Sequence, residues 1–425
     1  MLQVLSALLW SVASTAPDAH GANPPRVLVY TVSAGYEHEV VRRAAPDELS
    51  IVERALVDLG SRSGAFQAVV SREAAAFEAA SLAQFQAVLF YTTGELPLSA
   101  AQRAGLFEFV RSGGGFVGVH SATDTFYTVP EYGAMIGATF DGHPWHERVS
   151  IAVEDPTHIA TQHLGERFDF VDEIYQFKAP YSRAGVHVLL SLAPDGLDVA
   201  REPVHRQDRD FALAWTRPFG DGRVFYSALG HRPEVWKDAR FLTHLAGGIR
   251  WALGDEPQVK LSPEDDARRS FALAESGNPR AGFGVFKRES GPMCGRCHVV
   301  NGTGTEVGPD LSSVALRLTQ SELLTAILAP SAAITHGYGA VTLDMKDGTQ
   351  IFGRVTNESE TALTLIDTTG TARSIAREAV LARLASKISA MPDGLAATLT
   401  NEEFRDLFAY VRTLKAPPPT AVEPK

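Results

Sequence analysis

Residues 86–119 read QAVLFYTTGELPLSAAQRAGLFEFVRSGGGFVGV, and the alternation inside this stretch decides the fold. Residues 86–92 are a short apolar run of the kind shown by a strand buried on both faces of a parallel sheet. Ser99 then opens a helical stretch, its hydroxyl placed to accept from the free N–H groups of the first turn. The helix runs to Arg111 and stops at Gly113-Gly114-Gly115. Residues 116–119 are apolar again. Strand, helix and strand in this order make a right-handed crossover unit, the building block of a doubly wound α/β sheet.

The same pattern extends in both directions. Upstream, residues 26–32 (RVLVYTV) form another buried strand, and residues 47–59 place Leu49, Val52, Leu56 and Leu59 on one helical face. Downstream, residues 211–216 and 223–229 flank Gly220-Asp221-Gly222, which predicts a hairpin, and a helix over 233–253 closes the unit. Residues 26–254 are therefore expected to be one doubly wound α/β domain. Residues 255–278 are polar and are expected to be a linker, with Ser262-Pro263-Glu264 opening a short helix.

Residues 279–415 have a different texture, expected to be mainly α with a small β insertion. A short helix carries Gly282 and Phe286. Thr319 and Glu322 make a capping box for a helix to Leu328. Residues 340–383 alternate as strands, with turns at Asp347-Gly348 and Thr369-Gly370. A last helix, capped by Thr400 and Glu403, buries Phe404, Leu407, Phe408, Val411 and Leu414. Residues 416–425 are Pro-rich and expected to be disordered.

The 425 residues exceed one small core. Fifty acidic against 39 basic side chains give a formal net charge of −11, which argues against nucleic acid or an anionic membrane as partner. Residues 1–22 read as an export signal, with an apolar run from Leu2 to Trp10 and small residues at Ser14-Thr15-Ala16, although Lys and Arg are missing ahead of it. No later stretch reaches the ~18–20 apolar residues of a membrane span. The expected location is periplasmic or secreted. The chain has two cysteines, three positions apart, too few for a disulfide scaffold.

Cys294-Gly295-Arg296-Cys297-His298 is C-x-x-C-H, the attachment signature of a c-type haem. Two thiols at this spacing add to the two vinyl groups of one porphyrin, and the adjacent imidazole falls under the iron. A zinc site would need two further ligands, and the sequence has no second Cys pair. A thioredoxin-like dithiol belongs near the start of a βαβ unit, and this pair is elsewhere. The flanks resemble cytochrome c over residues 279–415. Gly282 and Phe286 stand where the N-terminal helix of a cytochrome crosses the C-terminal one, and Leu407 and Tyr410 stand on the expected crossing partner. The resemblance implies that Pro309, in Gly308-Pro309-Asp310-Leu311, offers its carbonyl to the proximal imidazole of His298. It also implies Met391, in Ser389-Ala390-Met391-Pro392, as the sixth iron ligand, with His336 the alternative. The strand-rich insertion resembles the haem-binding domain found fused to other domains in Planctomycetes and Verrucomicrobia.

The first domain resembles the ThuA-like (trehalose-utilisation) family over residues 26–254. Five stretches carry the likeness: Gly35-Tyr36-Glu37-His38, Gly118-Val119-His120-Ser121-Ala122-Thr123-Asp124, His143-Pro144, Asp172-Glu173-Ile174-Tyr175, and residues 222–231, which end in His231. That family resembles class I glutamine amidotransferases in fold. The turn after the third strand carries a Cys nucleophile in those enzymes. Here it carries His120, with Ser121 one position off, so thiolate amidase chemistry is excluded. His38, His120 and His231 each follow an apolar strand, and the carboxyl ends of such strands line the ligand crevice. The candidate catalytic residues are His38, His120, Asp124, His143, Glu173, Tyr175 and His231, with His146 close by. Imidazoles beside carboxylates suit proton transfer on a sugar carbon or a divalent metal. The resemblance implies a sugar-type small molecule, in particular a 3-keto sugar. No G-x-G-x-x-G fingerprint for a nicotinamide or flavin follows a strand. The expected whole is an exported haem protein that transfers electrons to a redox partner protein and is coupled to a sugar-binding or sugar-processing domain. A carbohydrate hydrolase, isomerase or binding module with an independent tethered cytochrome is the alternative.

Overall fold

A computed structural model describes residues 23–416 except 194, 196, 197, 257 and 258, so the expected signal and residues 417–425 of the tail lie outside the described residues. Among the described residues no helix is long and apolar enough to cross a membrane.

The N-terminal domain is built on a nine-stranded sheet. Its first half alternates β1 (Arg26–Tyr30), α1 (Ile51–Ser63), β2 (Gln67–Ser71), α2 (Ala79–Leu82), β3 (Ala87–Phe90), α3 (Ala100–Arg111) and β4 (Gly115–Val119). These strands lie parallel in the order β2-β1-β3-β4, and β11 (Gly222–Ser227) joins β4, again parallel. Beyond β11 the sheet turns antiparallel through β10 (Ala212–Phe219), β9 (His187–Leu192), β6 (Trp145–Val153) and β7 (Arg167–Ile174). A two-stranded ribbon, β5 (Thr139–Phe140) with β8 (Phe177–Lys178), follows α4 (Pro130–Ile136). The helix α5 (Ala239–Ala252) packs on β4 and β11. Val27, Leu28, Val88, Leu89, Phe116 and Val117 have no exposed surface. Each such side chain contributes about 1.5–3 kcal/mol through burial.

Two expectations shift here. The first helix begins at Ile51, not 47, because Ser50 and Glu53 cap each other: Glu53 N donates to Ser50 Oγ at 3.3 Å, and Ser50 N donates to the Glu53 carboxylate at 2.8 Å. The antiparallel half over 145–192 was not expected. Its strands mix charge with apolar residues, as WHERVSIAV in β6 does, and so resemble loop in sequence.

The C-terminal part is β-rich. Its helices are α6 (Pro263–Ala274), α7 (Pro279–Lys287), α8 (Val314–Arg317), α9 (Gln320–Leu328) and α10 (Asn401–Val411). Between α9 and α10 stands a five-stranded antiparallel sheet, β15-β14-β13-β12-β16. Its strands in chain order are β12 (Val341–Met345), β13 (Gln350–Glu358), β14 (Ala362–Ile366), β15 (Ala372–Ala376) and β16 (Val380–Ala385). This sheet has its own core of Leu343, Leu363, Leu365 and Ile375, so it is a structural layer and not the small insertion expected in a mainly α domain. The short helix expected within 255–278 is α6, and it packs on the C-terminal part: Leu261 and Ala272 enter the helical core, and Arg268 donates to the carbonyls of Ala396 (2.8 Å) and Leu399 (2.9 Å).

Helices α7 and α10 cross with backbone in contact: a Cβ on Gly282 would lie 1.8 Å from the Asp406 carbonyl oxygen. The Phe286 and Tyr410 rings pack 5.4 Å apart beside the crossing. The two parts of the chain meet through polar bonds. Trp251 Nε1 donates to the Glu322 carboxylate at 3.0 Å, and Thr319 Oγ1 donates to Glu256 at 3.3 Å.

Candidate functional site

Three of the parallel strands deliver imidazoles to one place. His38 follows β1, His120 follows β4 and His231 follows β11; Glu173, near the end of β7, meets them from the antiparallel half. One donor atom from each of the four lies within 4.8 Å of the others. The position agrees with the rule that ligands of open α/β sheets bind outside the carboxyl ends of the strands, where the strand order reverses. Here the reversal is at β1, flanked by β2 and β3.

The backbone holds His120 in a conformation that L-residues rarely adopt, with φ of 47°. Two bonds keep it there. Tyr226 OH donates to the His120 carbonyl at 2.6 Å, and His120 Nδ1 lies 2.6 Å from the Ala228 carbonyl. A carbonyl only accepts, so Nδ1 carries the proton and Nε2 presents its lone pair to the cluster. That atom stands 3.2 Å from His231 Nδ1 and 3.3 Å from Glu173 Oε2, and His231 Nδ1 stands 3.0 Å from the same Oε2. Donors about 2.1 Å from a tetrahedral ion stand about 3.4 Å apart, so these three edges are close to those of a metal site. His38 adds a buried Nδ1 with no hydrogen-bond partner. A buried polar atom without a partner costs about 1–3 kcal/mol, which a cation would relieve. The donor set therefore fits a divalent metal.

The electrostatics agree. Burial, reinforced by His120 and His231, pushes the His38 pKa down to about 3, so its ring is neutral and ready to ligate. Burial raises the Glu173 pKa, but the neighbouring His120 and His231 outweigh it and hold the carboxylate well below its usual range. Burial lifts the Tyr175 phenol well above its usual range, so it stays protonated. The Tyr175 ring lies against His120, with centroids 4.3 Å apart.

The other expected residues fall at the rim. His143 Nδ1 and His146 Nδ1 lie 3.4 and 3.9 Å from Glu173 Oε1, and both rings are about half exposed. His146 is on β6. Asp124 accepts from Tyr127 OH and stays outside the four-residue group; burial raises its pKa. One residue that sequence reasoning passed over for the site matters. Asp172, fully buried on β7, accepts from Gly230 N at 2.6 Å and Arg232 N at 3.3 Å, and so fixes the loop that bears His231. Its place beside Glu173 in one strand was the available signal.

The Cys pair forms a separate site. Cys294–Arg296 is a short 3-10 turn, with Cys297 N and His298 N both donating to the Cys294 carbonyl at 3.1 Å. His298 Nδ1 lies 2.8 Å from the Pro309 carbonyl, which assigns the proton to Nδ1 and leaves Nε2 free. Gly308 has no side chain because the ring occupies that space: a Cβ there would lie 2.4 Å from His298 Cε1. Burial raises the Cys294 thiol to about 11 and raises Cys297 as well, the reverse of a reactive redox dithiol. Cys294, Cys297, His298, Pro309 and Met391 all line one cavity of about 740 Å³, within the range of a cofactor pocket. Its far wall includes Glu154, Arg183 and His187 of the N-terminal domain. His336 lines the same cavity.

The family described as trehalose utilisation, ThuA, matches residues 26–252. A ThuA-like protein from Bacteroides uniformis is 22% identical to this chain, over 57% of this chain and 97% of its own, with a TM-score of 0.45. A ThuA-like protein from Parabacteroides merdae is 17% identical over 56% of this chain and 94% of its own, also with a TM-score of 0.45. No curated protein matches.

Proposed function

The chain belongs to the ThuA, or trehalose-utilisation, family through residues 26–252, and from that premise we propose that the His38–His120–Glu173–His231 cluster binds and processes a sugar or 3-keto sugar. We propose with it that the C-terminal part carries one covalent c-type haem and passes electrons to a partner protein outside the cytoplasm. The observation that carries the sugar reading is the convergence of three strand-end imidazoles on one buried carboxylate.

Carbons beside the carbonyl of a keto sugar are weakly acidic, and imidazole–carboxylate pairs move such protons. His38, His120, His231 and Glu173 would hold a divalent ion, which when bound polarises a carbonyl oxygen. The protein's own groups do the rest. Asp172 positions the His231 loop, Tyr175 covers one face of His120, and His143 and His146 stand between Glu173 and solvent, where a proton is exchanged.

The C-terminal residues fit a haem. Cys294 and Cys297 would hold it covalently, and His298, oriented by Pro309, would ligate its iron through Nε2. Met391 is the proposed sixth ligand, with His336 the alternative. Haem in this setting supplies one-electron transfer. The crossing of α7 and α10 at Gly282 supports a cytochrome-like core. Imidazoles beside a carboxylate also suit proton transfer in hydrolysis or isomerisation, a second reading in which the sugar chemistry proceeds independently of the tethered electron carrier.

One experiment separates the readings. The purified ferric protein is mixed with sugars and their 3-keto forms while the haem α-band is followed. Reduction without an added dehydrogenase supports coupling; sugar turnover with a silent haem supports independent domains; neither response removes the sugar reading. Protein that comes out colourless after acid and organic-solvent extraction removes the haem. For the metal, Zn²⁺ or Mn²⁺ titration of chelator-treated protein should show one site, weakened at least about 100-fold by Glu173→Gln.

A further inference from the structure

The geometry points to Tyr36 and Tyr127 as the two aromatic walls of a pyranose-binding subsite over the His–Glu cluster. The inference rests on the sugar reading above and names the residues that grip the ring.

Single exposed apolar side chains are ordinary on a protein surface. These two are set apart by where they are and how firmly they are held. Tyr36 is 68% exposed and Tyr127 is 46% exposed, yet each sits on a loop that also supplies the site. Tyr36 is two residues before His38 and meets its ring edge-on at 4.9 Å. Tyr127 follows the loop of His120 and Asp124, and its hydroxyl donates to Asp124.

The loops are stitched into one rigid rim. Ala34 N donates to the Thr93 carbonyl at 2.8 Å, and Thr93 Oγ1 donates to the Tyr36 carbonyl at 2.8 Å. Gly94 N donates to the Asp124 carbonyl at 2.7 Å, and Phe126 N donates back to Gly94 at 3.1 Å. Gly94, with φ of 72°, lies so close to Gly35 that a Cβ would stand 2.6 Å from the Gly35 nitrogen. Thr128 is held by the Glu95 carboxylate through its N–H and its hydroxyl, both at 3.0 Å. Phe126 takes a left-handed φ of 54° and is buried, which turns Tyr127 outward. A bulky residue in that region is strained, and such strain persists where the surroundings enforce it.

A pyranose offers a face of C–H bonds and a rim of hydroxyls. Aromatic faces take the first. The rim is supplied as well: Asp124 lies at the Tyr127 hydroxyl, the Lys178 ammonium stands 5.5 Å over the Tyr127 ring, and Asp141 lies 3.8 Å from that ammonium. A ring held between Tyr36 and Tyr127 would lie beside His38 and Asp124.

The test uses the full chain and the 3-keto forms of methyl glucoside and trehalose. Tyr36→Ala and Tyr127→Ala should each raise KM about tenfold or more, with kcat changed less than about threefold, because groups that bind substrate and transition state alike act on KM. Tyr36→Trp and Tyr127→Phe should recover most of the loss, and leucine at either place should not. Unchanged KM in both alanine variants, a fall in kcat alone, or full rescue by leucine overturns the clamp while leaving the sugar reading intact. A wild-type protein that turns over neither ketone overturns both.

Discussion

Gly308→Ala perturbs the proposed haem site at one atom. The added Cβ would lie 2.4 Å from His298 Cε1, 2.8 Å from Nδ1 and 3.1 Å from Nε2, against ordinary contacts of 3.4–4 Å. The imidazole must therefore retreat by about 1 Å. Its bond to the Pro309 carbonyl, now 2.8 Å, then passes the ~3.5 Å limit of a hydrogen bond. Losing that bond costs about 0.5–1.5 kcal/mol and removes the partner that keeps the free nitrogen basic. Cys294 and Cys297 are untouched, so the variant should still be pigmented after acid extraction. The expected result is retained haem with a weakened proximal ligand, seen as a high-spin shift of the visible spectrum and a changed reduction potential. Gly339→Ala is the control, since a Cβ there meets nothing within 4 Å. A Gly308→Ala protein whose spectrum and potential match those of the parent would refute both the role of His298 and the reasoning from its packing.

Acid should unfold the protein steeply. Burial pushes His38 and His158 down to about 3 and His244 to about 4, whereas the unfolded chain titrates near 6.5, so unfolding takes up protons between these values. Stability from these groups is complete above about pH 7 and falls as pH drops, with a slope near pH 5.5 of about 3–4 kcal/mol per pH unit. Burial lowers the His187 pKa, but its bond to Asp155 wins and raises it, so its contribution has the opposite sign and is lost as pH rises. A urea midpoint flat between pH 7 and 5 would contradict the buried neutral histidines. Asp172→Ala strands the N–H groups of Gly230 and Arg232 and should cost about 3 kcal/mol in urea unfolding, with metal affinity falling in parallel. If affinity is unchanged, the His231 loop does not depend on it. Met391→Ala should lower the reduction potential and remove the weak long-wavelength band of a thioether–ferric haem. An unaltered potential transfers the sixth position to His336 or to an open site.

Parallel strands and capped helices were legible because they obey local rules. The runs at 26–32 and 86–92 are buried on both faces and need no context, and Ser99 with Gln102 closes a capping box that any helix start would use. The antiparallel half was not legible. Glu147 and Arg148 in β6 face partners that only the folded sheet supplies, so their charge hides the strand. The site was half legible. His38, His120 and His231 follow readable strands, and Glu173 came with the family motif. The group they form depends on β7 reaching back across the sheet. Residues 340–383 showed their strands, but that Leu343, Leu363 and Leu365 make a separate core depends on long-range register.

The turn after β4 sets what the site can and cannot attack. A sharp left-handed position at a strand end stores strain, and a protein keeps it where the residue must project into a crevice. Here two bonds, from Tyr226 to the His120 carbonyl and between His120 Nδ1 and the Ala228 carbonyl, hold an imidazole. The neighbouring Ser121 is buried with an unpartnered hydroxyl and has no exposed surface from which to attack a substrate. What projects is one nitrogen lone pair, aimed at a carboxylate and a second imidazole. Such a group is built to share a proton or a cation and not to form an acyl intermediate.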